Sequence, residues 1–134
     1  MTGRRAVAVL MAALVGCGGD GPTPPVTPPP NGGAIPGLIG VSVASPNSDD
    51  GAMLFSVSST FQSIQAANGY EVLSYAPTTT VTKVMVVGPI SSGTVFSLNV
   101  ADKSLPVAVT IDQVAARGSY AQRTPSGYRI TIVR

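Results

Sequence analysis

The sequence predicts an all-β protein built on a single antiparallel β-sandwich, jelly-roll or immunoglobulin-like, of about eight strands. Three observations carry the prediction. From Ala34 onward apolar residues recur in short period-2 runs, the spacing that puts every second side chain on one face of a strand. Clusters of Gly, Pro, Asn, Asp or Ser cut these runs at about the 8–12-residue spacing typical of sandwiches. No stretch keeps a helical period, and nothing has the strand–helix–strand spacing of a parallel sheet.

The elements follow in order. Leu38 to Ala44 is the first strand, and Ser45-Pro46-Asn47-Ser48-Asp49-Asp50-Gly51 is a dense turn signal. Met53, Phe55 and Val57 alternate with Leu54, Ser56 and Ser58, which predicts a strand with its first set facing inward. Phe61 to Ala66 and Tyr70 to Tyr75 flank Asn68-Gly69, a dipeptide that favours a tight hairpin. Thr80 to Val87 holds four consecutive apolar residues, Val84 to Val87, which predicts a central strand covered on both faces.

Gly88-Pro89 and Ser91-Ser92-Gly93 bracket a short connection. Val95 to Val100 then places Phe96, Leu98 and Val100 inward and Ser97 and Asn99 outward. Ala101 to Ser104 turns the chain, and Val107, Val109 and Ile111 make the next inward row. Asp112 to Arg117 is compatible with the end of that strand or with one helical turn. Thr124-Pro125-Ser126-Gly127 is a turn, and Tyr128, Ile130 and Ile132 close the domain.

Three segments precede or make up the organisation of the chain: 1–16, 17–33 and the sandwich, 34–134. Residues 17–33 are rich in Pro and Gly, with six prolines between Pro22 and Pro30. Such a composition buries no core and reads as a disordered, largely polyproline-II tether. The start of the chain is basic, at Arg4 and Arg5, and an apolar run follows from Ala6 to Val15. That run is about 15 Å long as a helix. A bilayer core needs roughly twenty apolar residues, so the run is too short to span it and reads as the core of a signal peptide.

The run ends in Leu14-Val15-Gly16-Cys17, which resembles the lipobox of bacterial lipoproteins at all four positions. The resemblance implies a lipoprotein signal peptide cut before Cys17, acyl chains (palmitate among them) on Cys17 as the membrane anchor, and a place on the exported side of a bacterial cell envelope, periplasmic or at the surface. Cys17 is the only cysteine in the chain. With its thiol acylated, disulfides are excluded, and about 100 residues must hold together by an apolar core.

Composition narrows the chemistry further. Beyond the signal the side chains balance, with Lys83, Lys103, Arg117, Arg123, Arg129 and Arg134 against Asp20, Asp49, Asp50, Glu71, Asp102 and Asp112, or 6 − 6 = 0. This argues against nucleic acid as a partner. Histidine is absent, and with it the commonest general base and transition-metal ligand. No cofactor is implied.

A second resemblance covers about half of the sandwich. Gly51-Ala52-Met53-Leu54-Phe55-Ser56-Val57, and later Val86-Val87-Gly88 through Gly93-Thr94-Val95-Phe96-Ser97-Leu98-Asn99-Val100, resembles the rhythm of cohesin-like and related carbohydrate-binding sandwiches. It implies a module that binds a protein or a glycan. It assigns no contact residue.

The candidate sites are few. Asn47-Ser48-Asp49-Asp50 gathers oxygens, and Asp49 and Asp50 are a candidate calcium pair. Calcium takes six or more oxygens, however, and a solvated turn is the simpler reading. Arg117, Tyr120, Arg123, Tyr128 and Arg129 cluster towards the C-terminus as a candidate ligand face, since Arg and Tyr stack and hydrogen-bond together. Charged residues guarding edge strands are the simpler reading of them. Asp49, Asp50, Glu71, Asp102 and Asp112 hold no motif that marks a hydrolytic carboxylate pair, and Lys103-Ser104 lies in a turn. The expected function is therefore a non-catalytic binding or assembly module with an envelope protein or glycan as partner. The alternatives are a small glycan-acting envelope enzyme and a purely structural lipoprotein.

Overall fold

A computed structural model describes residues 32–134, and Leu14 to Cys17 with the tether up to Asn31 lie outside the described residues. The strands are β1 (Gly37–Ala44), β2 (Asp50–Val57), β3 (Ser63–Ala66), β4 (Glu71–Tyr75), β5 (Thr82–Ile90), β6 (Gly93–Val100), β7 (Val109–Ala116), β8 (Gln122–Arg123) and β9 (Arg129–Val133). They form two antiparallel sheets, of order β3-β6-β1-β9 and β4-β5-β2-β7-β8. The all-β sandwich expected from the sequence is the fold observed.

Inward residues from both sheets make the core. Ile39, Val41 and Val43 of β1 and Phe96, Leu98 and Val100 of β6 face Met53, Phe55 and Val57 of β2 and Val84 and Val86 of β5. Each is buried, and each contributes about 1.5–3 kcal/mol for a side chain removed from water. Tyr128, Ile130 and Ile132 pack against this core from the C-terminal end, as the alternation predicted.

Three bulges change the inward set, the first at Gly51, which leaves both Asp50 and Met53 buried. Val41 pairs with Phe96 but Ser42 pairs with Thr94, so Val95 is an extra residue in β6 and is buried beside Phe96. Leu54 pairs with Gln113 but Phe55 pairs with Ile111, so Asp112 is the extra residue in β7. Val109 and Ile111 line the core before that bulge; Val114 and Ala116 are buried after it. The stretch left open between strand and helical turn is strand as far as Ala116.

Four expectations need correction. β3 and β4 do not form a hairpin about Asn68-Gly69: β3 pairs with β6 and β4 with β5, in different sheets. A turn is present, with the Tyr70 N–H donating to the Ala67 carbonyl at 3.1 Å, but only Gly69 takes a positive φ, of 87°. A two-residue hairpin of the favoured type needs positive φ at both positions, so the turn carries the chain across the sandwich instead. Secondly, β5 is internal to its sheet but covered on one face only, with Met85 and Val87 exposed on the other. Thirdly, Gly88-Pro89 continues β5 rather than leaving it. Gly88 has φ 150°, and a Cβ there would lie 2.8 Å from the Gly69 carbonyl oxygen, so the close approach of β5 to the Asn68-Gly69 turn requires glycine. Finally, the turn before β2 ends at Asp49, because Asp50 and Gly51 already pair within the sheet or bulge from it.

Candidate functional site

Asp49 and Asp50 are adjacent in sequence and opposite in environment. Asp50 starts β2 with its side chain fully buried, whereas Asp49 ends the preceding loop and is exposed. Arg123 of β8 spans them. Its Nη1 donates to Asp50 Oδ1 and its Nη2 to Asp49 Oδ2, both at 2.7 Å. Tyr128 Oη donates to Asp50 Oδ1 at 3.0 Å and accepts from Asn47 Nδ2 at 2.7 Å, and Ser45 Oγ donates to Asp50 Oδ2. The hydrogen bond from Arg123 pulls the Asp49 carboxyl below the usual range, and the same bond raises the Arg123 guanidinium above its own. A buried carboxylate is tolerated when it is paired and hydrogen-bonded, and this network supplies both.

The pair proposed for calcium is thus engaged by a guanidinium. Among the described residues no group of three or more acidic or other metal-binding side chains is placed to hold a metal ion. Arg123 and Tyr128 belong to this internal network rather than to an open surface. Arg129 stands apart from it, exposed on the edge strand β9.

Arg117 and Tyr120, by contrast, come together. The β7–β8 loop is closed by Ala116 N–H donating to the Ala121 carbonyl at 2.9 Å and Tyr120 N–H to the Ala116 carbonyl at 3.1 Å. Arg117 N–H donates to the Asp49 carbonyl at 2.6 Å, tying the loop base to the carboxylate network. Tyr120 is the one non-glycine described residue with a positive φ, 56°, and its side chain is 82% exposed. A left-handed backbone at a residue with a Cβ costs roughly 1–2 kcal/mol. Together Arg117 and Tyr120 border a groove of about 280 Å³ whose floor is apolar, from Ala52, Val87, Pro89 and Ala115.

Other polar groups gather at positions that carry no motif. Ser56 of β2, Lys83 of β5 and Asp112 of β7 meet on the outer face of the five-stranded sheet. Lys83 Nζ lies 2.6 Å from both Ser56 Oγ and Asp112 Oδ2, and Ser56 Oγ donates to Asp112 Oδ2 at 2.7 Å. Burial pushes the Asp112 carboxyl up, but the hydrogen bonds from Lys83 and Ser56 outweigh it and the net direction is down. A serine–lysine pair needs a neutral amine as base, whereas this ammonium is held in an ion pair. Asp102 accepts from the Ser104 hydroxyl, which lowers its carboxyl as well, so Lys103-Ser104 forms a turn around an acid rather than a dyad. At one end of the molecule Ser58, Ser59, Thr60, Thr79, Thr80 and Thr82 line a cleft of about 400 Å³ with Phe61. The Ser56, Lys83 and Asp112 cluster draws on strands far apart in sequence, and only the register brings it together.

Comparison of the chain with family models, with curated proteins and with solved structures finds no match to any of them.

Proposed function

We propose that this chain is a non-catalytic binding module, anchored by acyl chains on Cys17 in a bacterial cell envelope, whose groove beside Tyr120 and Arg117 takes a neutral glycan. One observation carries the reading: Tyr120 is held 82% exposed in a strained backbone conformation, on the border of an apolar groove that Arg117 also lines. Strain and an exposed aromatic ring both oppose stability, and residues kept in that state concentrate at ligand sites. An aromatic ring takes the apolar face of a sugar, and an arginine donates to its hydroxyl oxygens. The groove is small, so one or two sugar units are the expected footprint.

Hydrolysis is the weaker reading. A glycosidase needs one carboxyl held protonated. Asp49, Asp102 and Asp112 are shifted the opposite way, each by a hydrogen-bonding neighbour. The exported location rests on the lipobox resemblance of Leu14 to Cys17.

Two measurements test the reading. Full-length protein carrying Cys17→Ser should leave the detergent phase and take up no labelled fatty acid, because each buried methylene contributes ~0.8 kcal/mol and no other cysteine can be acylated. Membrane partitioning that survives the substitution overturns the anchor. The same soluble protein, screened on a glycan array and followed by calorimetry, should bind a neutral saccharide, and Tyr120→Ala should weaken that binding at least tenfold. Absence of binding to any neutral glycan, or indifference to Tyr120→Ala, overturns the ligand assignment.

A further inference from the structure

The two sides of the sandwich differ in how their open edges are protected. On one side the edges are β8 and β9: β8 is two residues long, and β9 carries the exposed Arg129 with Arg134 just beyond it. Charge on an edge strand discourages pairing with another chain. On the other side the edges are β3 and β4, which lie beside each other. β3 is four residues long and its outward side chains, Ser63 and Gln65, are polar. β4 is the exception: its outward side chains are Glu71, Leu73 and Tyr75, and the last two are 60% and 61% exposed.

The register aligns apolar side chains across the sheet up to this edge. Leu73 pairs with Met85 across β4–β5, and Met85 pairs with Leu54 across β5–β2. These three side chains form one apolar row on the outer face, running straight to the edge of the sheet and ending at Leu73. We infer that β4 is a self-association strand, pairing antiparallel with β4 of a second copy about a two-fold axis at Leu73.

In that arrangement Leu73 meets Leu73 of the second copy. The row becomes six residues long and continuous across the interface: Leu54, Met85 and Leu73 from each copy. Glu71 falls opposite Tyr75 of the second copy, so the strand's one charge meets no like charge. Val72 falls opposite Ser74 on the other face. The alternate backbone N–H and C=O groups of β4 that point away from β5 gain partners. An edge of five residues is at the small end of specific interfaces, which bury about 1,200 Å² or more in total when stable. The expected dimer is therefore reversible, with a dissociation constant in the ~1 μM–1 mM range. The inference stands apart from the glycan groove and does not depend on it, since neither Tyr120 nor Arg117 is on β4.

The test uses full-length Cys17→Ser protein, which contains no cysteine. Sedimentation equilibrium should show a monomer–dimer equilibrium with a concentration dependence in that range. Leu73→Lys should weaken dimerisation at least tenfold with an unchanged urea midpoint, since the side chain is exposed; Thr131→Lys, on the edge strand of the other side, should not weaken it. Under mild oxidation Leu73→Cys should give a covalent dimer at least ten times faster than Thr131→Cys. A monomer at ~1 mM, a dimer insensitive to Leu73→Lys, or equal cross-linking at the two cysteines each overturns the inference. The first of these outcomes would leave the edge to a strand from a different protein.

Discussion

Phe55 of β2 and Phe96 of β6 meet edge to face between the two sheets, with ring centroids 5.3 Å apart and planes inclined at 70°. They are fully buried and are two of the three phenylalanines in the chain. Such a contact contributes about 0.5–1.5 kcal/mol beyond the area the rings bury. Phe96→Ala should cost about 3–5 kcal/mol, enough to leave a domain stable by ~5–15 kcal/mol marginal. Asn99→Ala, three residues along on the outward face of the same strand, should cost well under ~1 kcal/mol. Urea melts of Phe55→Ala, Phe96→Ala and the double variant would show a coupling of the size quoted for the pair. Additive losses would mean that the rings do not act on one another.

Arg123 and Arg129 lie on edge strands six residues apart and should behave differently. Arg123→Ala leaves Asp50 fully buried without its cation, the class of change that costs about 3–5 kcal/mol. Tyr128 and Ser45 remain as hydrogen-bond donors, so the lower end of that range is expected. Arg129→Ala should change the midpoint little. Equal midpoints for the two variants would show that the carboxylate network adds nothing.

Acid should destabilise the domain through its lowered carboxyls. Asp49, Asp102 and Asp112 all have folded-state values below the ordinary carboxylate value. The stabilisation each brings is complete above its unfolded value, about 3.9, and is lost as pH falls through the lower folded value. Melts should be level from neutral pH down to about pH 5 and should decline below about pH 4. Asp112→Asn should be less stable at neutral pH and lose less on acidification. A wild-type profile that is flat to pH 2 would contradict these shifts.

Tyr120→Gly should raise stability, or leave it unchanged, while weakening glycan binding. Glycine removes the Cβ clash at φ 56°, worth roughly 1–2 kcal/mol, and gives part of that back in chain entropy. A net gain between zero and about 1 kcal/mol is expected in a thermal melt. A clear loss would mean that the tyrosine ring makes a contact the folded domain needs.

Much of the fold was legible because burial and alternation are the same fact in a strand. Met53, Phe55 and Val57 could be assigned inward, and Phe96, Leu98 and Val100 likewise, from spacing alone. Sheet membership was not legible. Asn68-Gly69 marks a turn whether the chain reverses within one sheet or crosses to the other, and Gly69 alone has the positive φ. The run Val84 to Val87 looked buried on both faces because sequence cannot tell a covered apolar face from an exposed one. The bulges at Val95 and Asp112 shift the alternation by a residue and leave no compositional mark. The site was harder still. Asp49 and Asp50 are identical as letters; burial distinguishes them, together with the Tyr128 hydroxyl supplied 78 residues after Asp50. Ser56, Lys83 and Asp112 show no motif because their proximity is a product of the register.

The order of strands also governs how fast this domain can form. Only β4–β5 and β7–β8 join consecutive strands within a sheet. β1 instead finds its neighbours in β6 and β9, with Gly40 opposite Val133, and β2 finds its own in β5 and β7. Loop-closure entropy must be met before such distant ladders return any stabilisation, which places sandwiches among the slow folders, in milliseconds to seconds. During synthesis the first strand waits for nearly the whole chain to emerge before its second ladder can close. Folding is consequently late and concerted, and a nascent chain halted before Arg129 would leave one side of β1 without its partner.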